Sequence, residues 1–362
     1  KEVPTDGILE RTLLYRIGRW SFRHRWIVVC AWLGLLVGVG AGAALAGPAG
    51  ASGSHAVSLL PAPTGPHAVG RADAHLVDQQ RGREVMVTAW YPTAADAGRA
   101  PYISPDPVAA LCIAAQTADW LHEPLLAATM AAASMPAVER APVAQLGRLP
   151  VVVFSPGMAV PRFLASGLAA DLASRGYVVV TVDHVGESPA VELPGGQIVF
   201  GTPPAYTPDY MRERIAARSA DVGLVLDRLP TLPIVGAAVD MDRIALAGHS
   251  FGGFTAATVG NADERVRAVV VLDGVLAYDG APPVTRVDRP VLLLGVPEAT
   301  AHPSWRLVHG DVVEVPGAGH YSFTDVANLL PVSTRLCGTV SGSRANAITF
   351  NRVAGFLNQS MR

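Results

Sequence analysis

Short, predominantly apolar runs are the feature that most constrains this fold. They occur at residues 151–154, 177–182, 244–247, 268–272 and 291–294, and are built from Val, Leu, Ile and Ala with few polar partners. Runs of this length, bounded by turn residues and lacking polar alternation, fit strands buried on both faces, as in a parallel sheet. Helical spacing fills the gaps. After Pro161, Leu164, Leu168 and Leu172 recur every four residues, and Gly176 follows as a stop signal. Thr207-Pro208-Asp209 opens another helix, with Met211, Ile215, Val222, Leu226 and Leu229 along one stripe. The alternation predicts an α/β sandwich around a mostly parallel sheet, with helices on both faces. Upstream, 84–91 places Val85, Val87 and Ala89 at alternate positions, which predicts a half-buried antiparallel strand. Residues 106–135 are Ala-rich and read as helical, with no clear place in the order.

Composition enters through what it excludes. The chain is 50% hydrophobic and 16% charged, against about 25% charged in ordinary domains, so it is not a disordered chain. Its 28 Lys and Arg against 30 Asp and Glu argue against a strongly basic nucleic-acid binder. Three cysteines are too few for a disulfide scaffold and lack zinc-ligand spacing. The charge is not evenly spread. Residues 1–25 form a basic segment, and 26–47 carry no charge. As a helix, 26–47 reaches about 33 Å, enough to cross a hydrocarbon core. The positive flank predicts a cytoplasmic N-terminus and an exported body. Residues 26–47 read as a transmembrane anchor, or as a signal peptide cleaved near Ala44-Leu45-Ala46. Residues 48–68 read as a Gly/Pro/Ser linker and 69–362 as the folded body. After export, Cys112 and Cys337 are available for a disulfide.

The chemistry concentrates at strand ends. Gly248-His249-Ser250-Phe251-Gly252-Gly253 follows the run 244–247 and precedes a helical stretch, the context of a nucleophile elbow. A serine hydroxyl needs a base, and the base needs an orienting acid. Of the later histidines, only His320 follows both a strand pattern (311–315) and the Gly-rich turn Gly317-Ala318-Gly319; His302 and His309 do not. Asp273 and Glu298 each follow an apolar run, so each lies at the sheet's C-terminal edge, and topology alone allows either. An oxyanion needs backbone N–H donors. Phe251, next to the serine, is one candidate; Met158, in Ser155-Pro156-Gly157-Met158, is the other. His184 reads as a supporting histidine. Trp305, Tyr321 and Phe323 are candidates for pocket walls, with core packing the alternative for each.

These motifs resemble the plasma-type (secreted) platelet-activating-factor acetylhydrolases and their bacterial lipase and cutinase relatives. The resemblance lies in Pro150-Val151-Val152-Val153-Phe154-Ser155-Pro156-Gly157, Asp171-Leu172-Ala173-Ser174-Arg175-Gly176-Tyr177, the Ser250 motif, Leu272-Asp273 and residues 320–325, with Ala89-Trp90-Tyr91-Pro92 as a further match. It implies an α/β-hydrolase fold over roughly 60–362 and a calcium-independent serine esterase. It favours Asp273 over Glu298 and puts the oxyanion donors at Met158 and Phe251. Residues 93–148 depart from the pattern, so the acyl and alcohol pockets fall outside it. The expectation is an exported carboxylic-ester hydrolase acting on short-chain or lipid-like esters without metal or organic cofactor. The alternatives are an acyltransferase or cyclase using the same acyl-enzyme, and a silent membrane-tethered module.

Overall fold

The apolar runs do form strands, and each extends a residue or more beyond its apolar stretch. The computed structural model describes residues 60–96, 98–330 and 334–361. The main sheet comprises β1 (Ala68–Asp78), β2 (Arg83–Thr93), β3 (Val138–Glu139), β4 (Leu149–Ser155), β5 (Val178–His184), β6 (Val239–His249), β7 (Val266–Leu272), β8 (Val291–Gly295) and β9 (Asp311–Glu314). Their spatial order is β9-β8-β7-β6-β4-β5-β2-β1-β3. From β5 through β9 every pairing is parallel, whereas β2 runs antiparallel to both β5 and β1. Central positions such as Val151, Val180, Leu246, Val270 and Leu293 are buried from both sides, each contributing about 1.5–3 kcal/mol.

The helices that matter for the site are α1 (Pro107–Trp120), α2 (Leu126–Ala132), α3 (Ser166–Ser174), α4 (Pro208–Arg228), α5 (Phe251–Ala262) and α6 (Gly342–Ser360). Thr207 caps α4, with Pro208 in its first turn. α3 packs with α6, and α4 packs with α5. The chain steps from β4 to β5 in one direction, then from β5 to β6 in the other. Right-handed crossovers place helices of opposite direction on opposite faces. The reversal opens a crevice at the C-terminal ends of β4 and β6, and Ser155 and His249 end those strands.

Within the stretch 48–68, Thr64 bonds to Asp171 (2.9 Å from N to Oδ1), and Gly65 N to Ser174 Oγ (2.9 Å), which ties the chain to α3 before β1 begins. Cys112 and Cys337 are both free thiols. The membrane or signal segment at 26–47 lies outside the described residues; within them, no helix is long and apolar enough to cross a membrane.

The loop after residue 320 is anchored by a buried carboxyl. Asp325, 3% exposed, accepts from the Tyr102 hydroxyl (2.9 Å) and from Gly167 N (3.0 Å), while its own N–H donates to Leu164 O. Burial pushes its pKa up to about 7, despite those hydrogen bonds. Its contribution to stability is therefore present below the ordinary carboxyl pKa and is lost as pH rises to about 7. Asp325→Asn is expected to flatten this part of the profile. Urea unfolding from pH 4 to 7.5 should show a smaller loss of stability with pH than in the parent; parallel profiles would refute the assignment.

Candidate active site

Residue Ser250 sits in the turn between β6 and α5 with φ 54 and ψ −124, a strained conformation for a non-glycine residue. The flanking glycines explain how the turn fits. A Cβ on Gly252 would lie 1.9 Å from Ser155 O, and one on Gly248 would lie 2.2 Å from Gly252 C. Only glycine permits this approach. Ser250 N donates to Leu272 O (2.8 Å), which ties the turn to β7.

At the end of β7, Asp273 also has positive φ (50). Its Oδ1 accepts from Val296 N at 2.8 Å, and its Oδ2 lies 2.5 Å from His320 Nδ1. An ionised carboxylate can only accept, so His320 donates through Nδ1 and leaves Nε2 for another partner. Ser250, Asp273, His320, Tyr278 and Glu298 line one cavity of about 510 Å³. Glu298 is exposed at its rim, in the short helix Pro297–Thr300. Of the two acids left open by topology, Asp273 is the one hydrogen-bonded to His320.

Phe251 begins α5, where the first N–H groups lack intrahelical partners. Met158 follows Gly157, on which a Cβ would lie 3.3 Å from Ser250 Cβ. Both candidate donors are thus on segments beside the serine. The pocket candidates divide. Tyr321 walls a second cavity of about 350 Å³ with Trp120, Met158, Pro203, Pro204 and Tyr206. Phe323 is buried in the core. Trp305 is buried too, and its Nε1 donates to Gly274 O (2.8 Å), bracing the loop that follows Asp273. Neither lines the two cavities described; both rings belong to the hydrophobic core.

Sequence reasoning missed His249 and Tyr278, whereas it named His184 as a supporting histidine. His249 stacks on His320 (centroids 4.5 Å apart), and its Nε2 donates to the His320 carbonyl at 2.8 Å. Burial, then the neighbouring His320, pushes His249 down to about 3, so it is neutral. Tyr278 packs edge-on against Phe251 (5.0 Å). Burial pushes its hydroxyl up to about 12, against an opposing hydrogen bond with Ser250. His184 bonds to Ser155 Oγ (2.9 Å) and Asp221 (3.0 Å). The only sequence signal for His249 was its place inside the Ser250 motif; Tyr278 gave none.

The family model described as "Platelet-activating factor acetylhydrolase, isoform II" matches residues 52–193 and 223–332. A "Probable 1-alkyl-2-acetylglycerophosphocholine esterase" of Arthroderma benhamiae is 32% identical over 133 residues, covering 36% of this chain and 33% of that protein. A platelet-activating factor acetylhydrolase of Bos taurus is 24% identical, covering 48% and 46% respectively. This chain spans less than half the length of these curated relatives. Among solved structures, a ferulic acid esterase from Streptomyces cinnamoneus is 35% identical, covers 84% of this chain and 93% of its own, and superposes with a TM-score of 0.69. The two matched stretches contain the Ser250 turn, Asp273, His320 and the Met158 loop, on a sheet of the α/β-hydrolase kind, and on that basis this chain belongs to the platelet-activating factor acetylhydrolase, isoform II, family.

Proposed function

We propose that this protein is a serine carboxylic-ester hydrolase. The observation that carries the reading is the 2.5 Å bond from His320 Nδ1 to Asp273, in the cavity that also holds the strained Ser250. Ser250 Oγ attacks the ester carbonyl and passes its proton to His320 Nε2. The Met158 and Phe251 N–H groups bind the oxyanion. The tetrahedral intermediate collapses, the C–O bond to the alcohol breaks, and the alcohol leaves with the His320 proton. Water then attacks the acyl-enzyme and gives its proton to His320, which passes it to Ser250 Oγ as the bond from Oγ to the acyl carbon breaks and the carboxylic acid forms. Asp273 orients His320 and stabilises its charged form. A fluorophosphonate probe is expected to label Ser250 stoichiometrically; an unlabelled Ser250 in folded protein would sink the reading.

The cavity beside Met158 supports a substrate class. Trp120, Tyr206, Tyr321 and two prolines line it, a set rich in flat rings that suits a planar ring better than a flexible acyl chain. The likeness to a ferulic acid esterase points the same way, so the preferred ester carries an aromatic acyl group of the hydroxycinnamoyl type. A short-chain or lipid-like ester is the second reading, favoured by the family. Trp120→Ala is expected to raise KM for methyl ferulate about tenfold and to leave p-nitrophenyl acetate hydrolysis nearly unchanged. Equal effects on both substrates would remove the aromatic assignment. The same proposal places the body outside the cytoplasm, supported by the basic residues preceding the uncharged stretch 26–47; sequencing the exported protein's N-terminus tells an anchor from a cleaved leader.

A further inference from the structure

On the buried side of α4, among apolar neighbours, lies one long cationic side chain. Arg218 is 1% exposed, yet all five of its N–H groups are engaged. Nε lies 2.9 and 3.0 Å from the two oxygens of Glu187, which Nη2 also contacts. Nη1 donates to Pro156 O (2.7 Å) and to Ser155 Oγ (3.3 Å), and Nη2 donates to Gly157 O (2.8 Å). The guanidinium also lies over the Phe251 ring, 5.2 Å from its centroid. Arg218 therefore touches both segments that carry the oxyanion donors. It falls outside the two stretches matched by the family model.

The two carbonyls belong to the loop that presents Met158. A trans peptide points its C=O and its N–H in opposite directions, and there is no cis peptide among the described residues. Holding Gly157 O on Arg218 thus fixes the Met158 N–H to point away from Arg218. The loop needs such a hold. Val160 N closes it onto Gly157 O (3.2 Å), and Ala159 sits at φ 57, a region disfavoured for non-glycine residues. A hydrogen bond to the carbonyl also polarises the peptide and strengthens its N–H as a donor. Burial alone would push the Glu187 carboxyl up, but Arg218 overrides this and leaves it below the ordinary range, so the pair is ionised.

We infer that Arg218, held by Glu187, is a positioning residue that aims the Met158 N–H at the oxyanion. This rests on the reading of Ser250 as nucleophile and of Met158 as donor. Arg218 itself does not touch the substrate. Lysine cannot replace it, because three donors on one nitrogen cannot span Pro156 O, Gly157 O and both Glu187 oxygens.

The test compares a p-nitrophenyl ester with its thionoester in the parent, Arg218→Lys and Glu187→Gln. Sulfur is a weak hydrogen-bond acceptor, so the thionoester gains little from the donors. In Arg218→Lys, kcat/KM for the ester is expected to fall about 10²–10³-fold and that for the thionoester less than about threefold, collapsing their ratio. Glu187→Gln should shift the ratio the same way, by less. The ratio does not depend on how much of a variant is folded, and fluorophosphonate titration counts active sites. Equal losses on both substrates in both variants, or no loss, would overturn the inference. An unlabelled Ser250 in the parent would overturn the nucleophile reading and this inference with it; a labelled parent with an unchanged ratio overturns this inference alone.

Discussion

Ser250→Ala is expected to lower kcat for ester hydrolysis by roughly 10⁵–10⁶-fold, as loss of the nucleophile does when serine, base and acid act as one unit. The fold should survive. Ser250 faces a cavity, and its backbone is held by Ser250 N to Leu272 O and by Gly253 N to Ser250 O, neither of which uses the side chain. Thermal unfolding should therefore move little while activity vanishes. Ser250→Gly sharpens the point: glycine tolerates φ 54, so this variant should be more stable than Ser250→Ala by about 1 kcal/mol and equally inactive. Activity persisting in either variant would mean that another group attacks the ester.

Asp273→Asn should cost on the order of 10³–10⁴ in kcat/KM, and the argument follows from which oxygen does what. Val296 N–H donates to Oδ1, so the carbonyl oxygen of an asparagine is pinned there. The new NH₂ group then faces His320 Nδ1, where Oδ2 used to accept. Two donors cannot share that contact. The imidazole must accept through Nδ1 and carry its proton on Nε2, which is the wrong tautomer for taking the Ser250 proton. Glu298→Gln should change the rate less than about twofold, because that side chain is exposed at the cavity rim. If the two variants exchanged these effects, Glu298 would be the orienting acid and the Asp273 contact incidental.

What could be read from the sequence varied with the kind of signal. The central strands stood out because each buries both faces and so becomes a continuous apolar run. β1 gave no such signal and was not picked out as a strand within the body that begins at 69. One face carries Ala72, Ala74 and Leu76, too small to mark a core, and the other carries Arg71, Asp73 and His75. Those polar groups are accommodated by partners from elsewhere: Arg71 by Asp73 and Glu139, and Asp73 by Thr88 and Arg162. The aromatic candidates were left open between pocket and core for a related reason. Proximity in sequence to His320 or Glu298 says nothing about which side of a short helix a ring occupies, so Phe323 and Trp305 turned inward while Tyr321 stayed at the cavity.

By itself the sequence determined the layered α/β architecture and pointed to the serine turn and to candidates in the order serine, acid and histidine. These depend on local pattern: apolar runs, glycines where no Cβ fits, and strand ends that topology gathers at one edge. Only the tertiary structure put Asp273 rather than Glu298 on His320, set His249 and Tyr278 beside the serine turn, and brought Arg218 under the Met158 loop. Arg218 and Gly157 are 61 residues apart. A hydrogen bond across that separation exists only after α4 has packed against the sheet, and no periodicity or motif along the chain encodes which carbonyl a buried arginine will find.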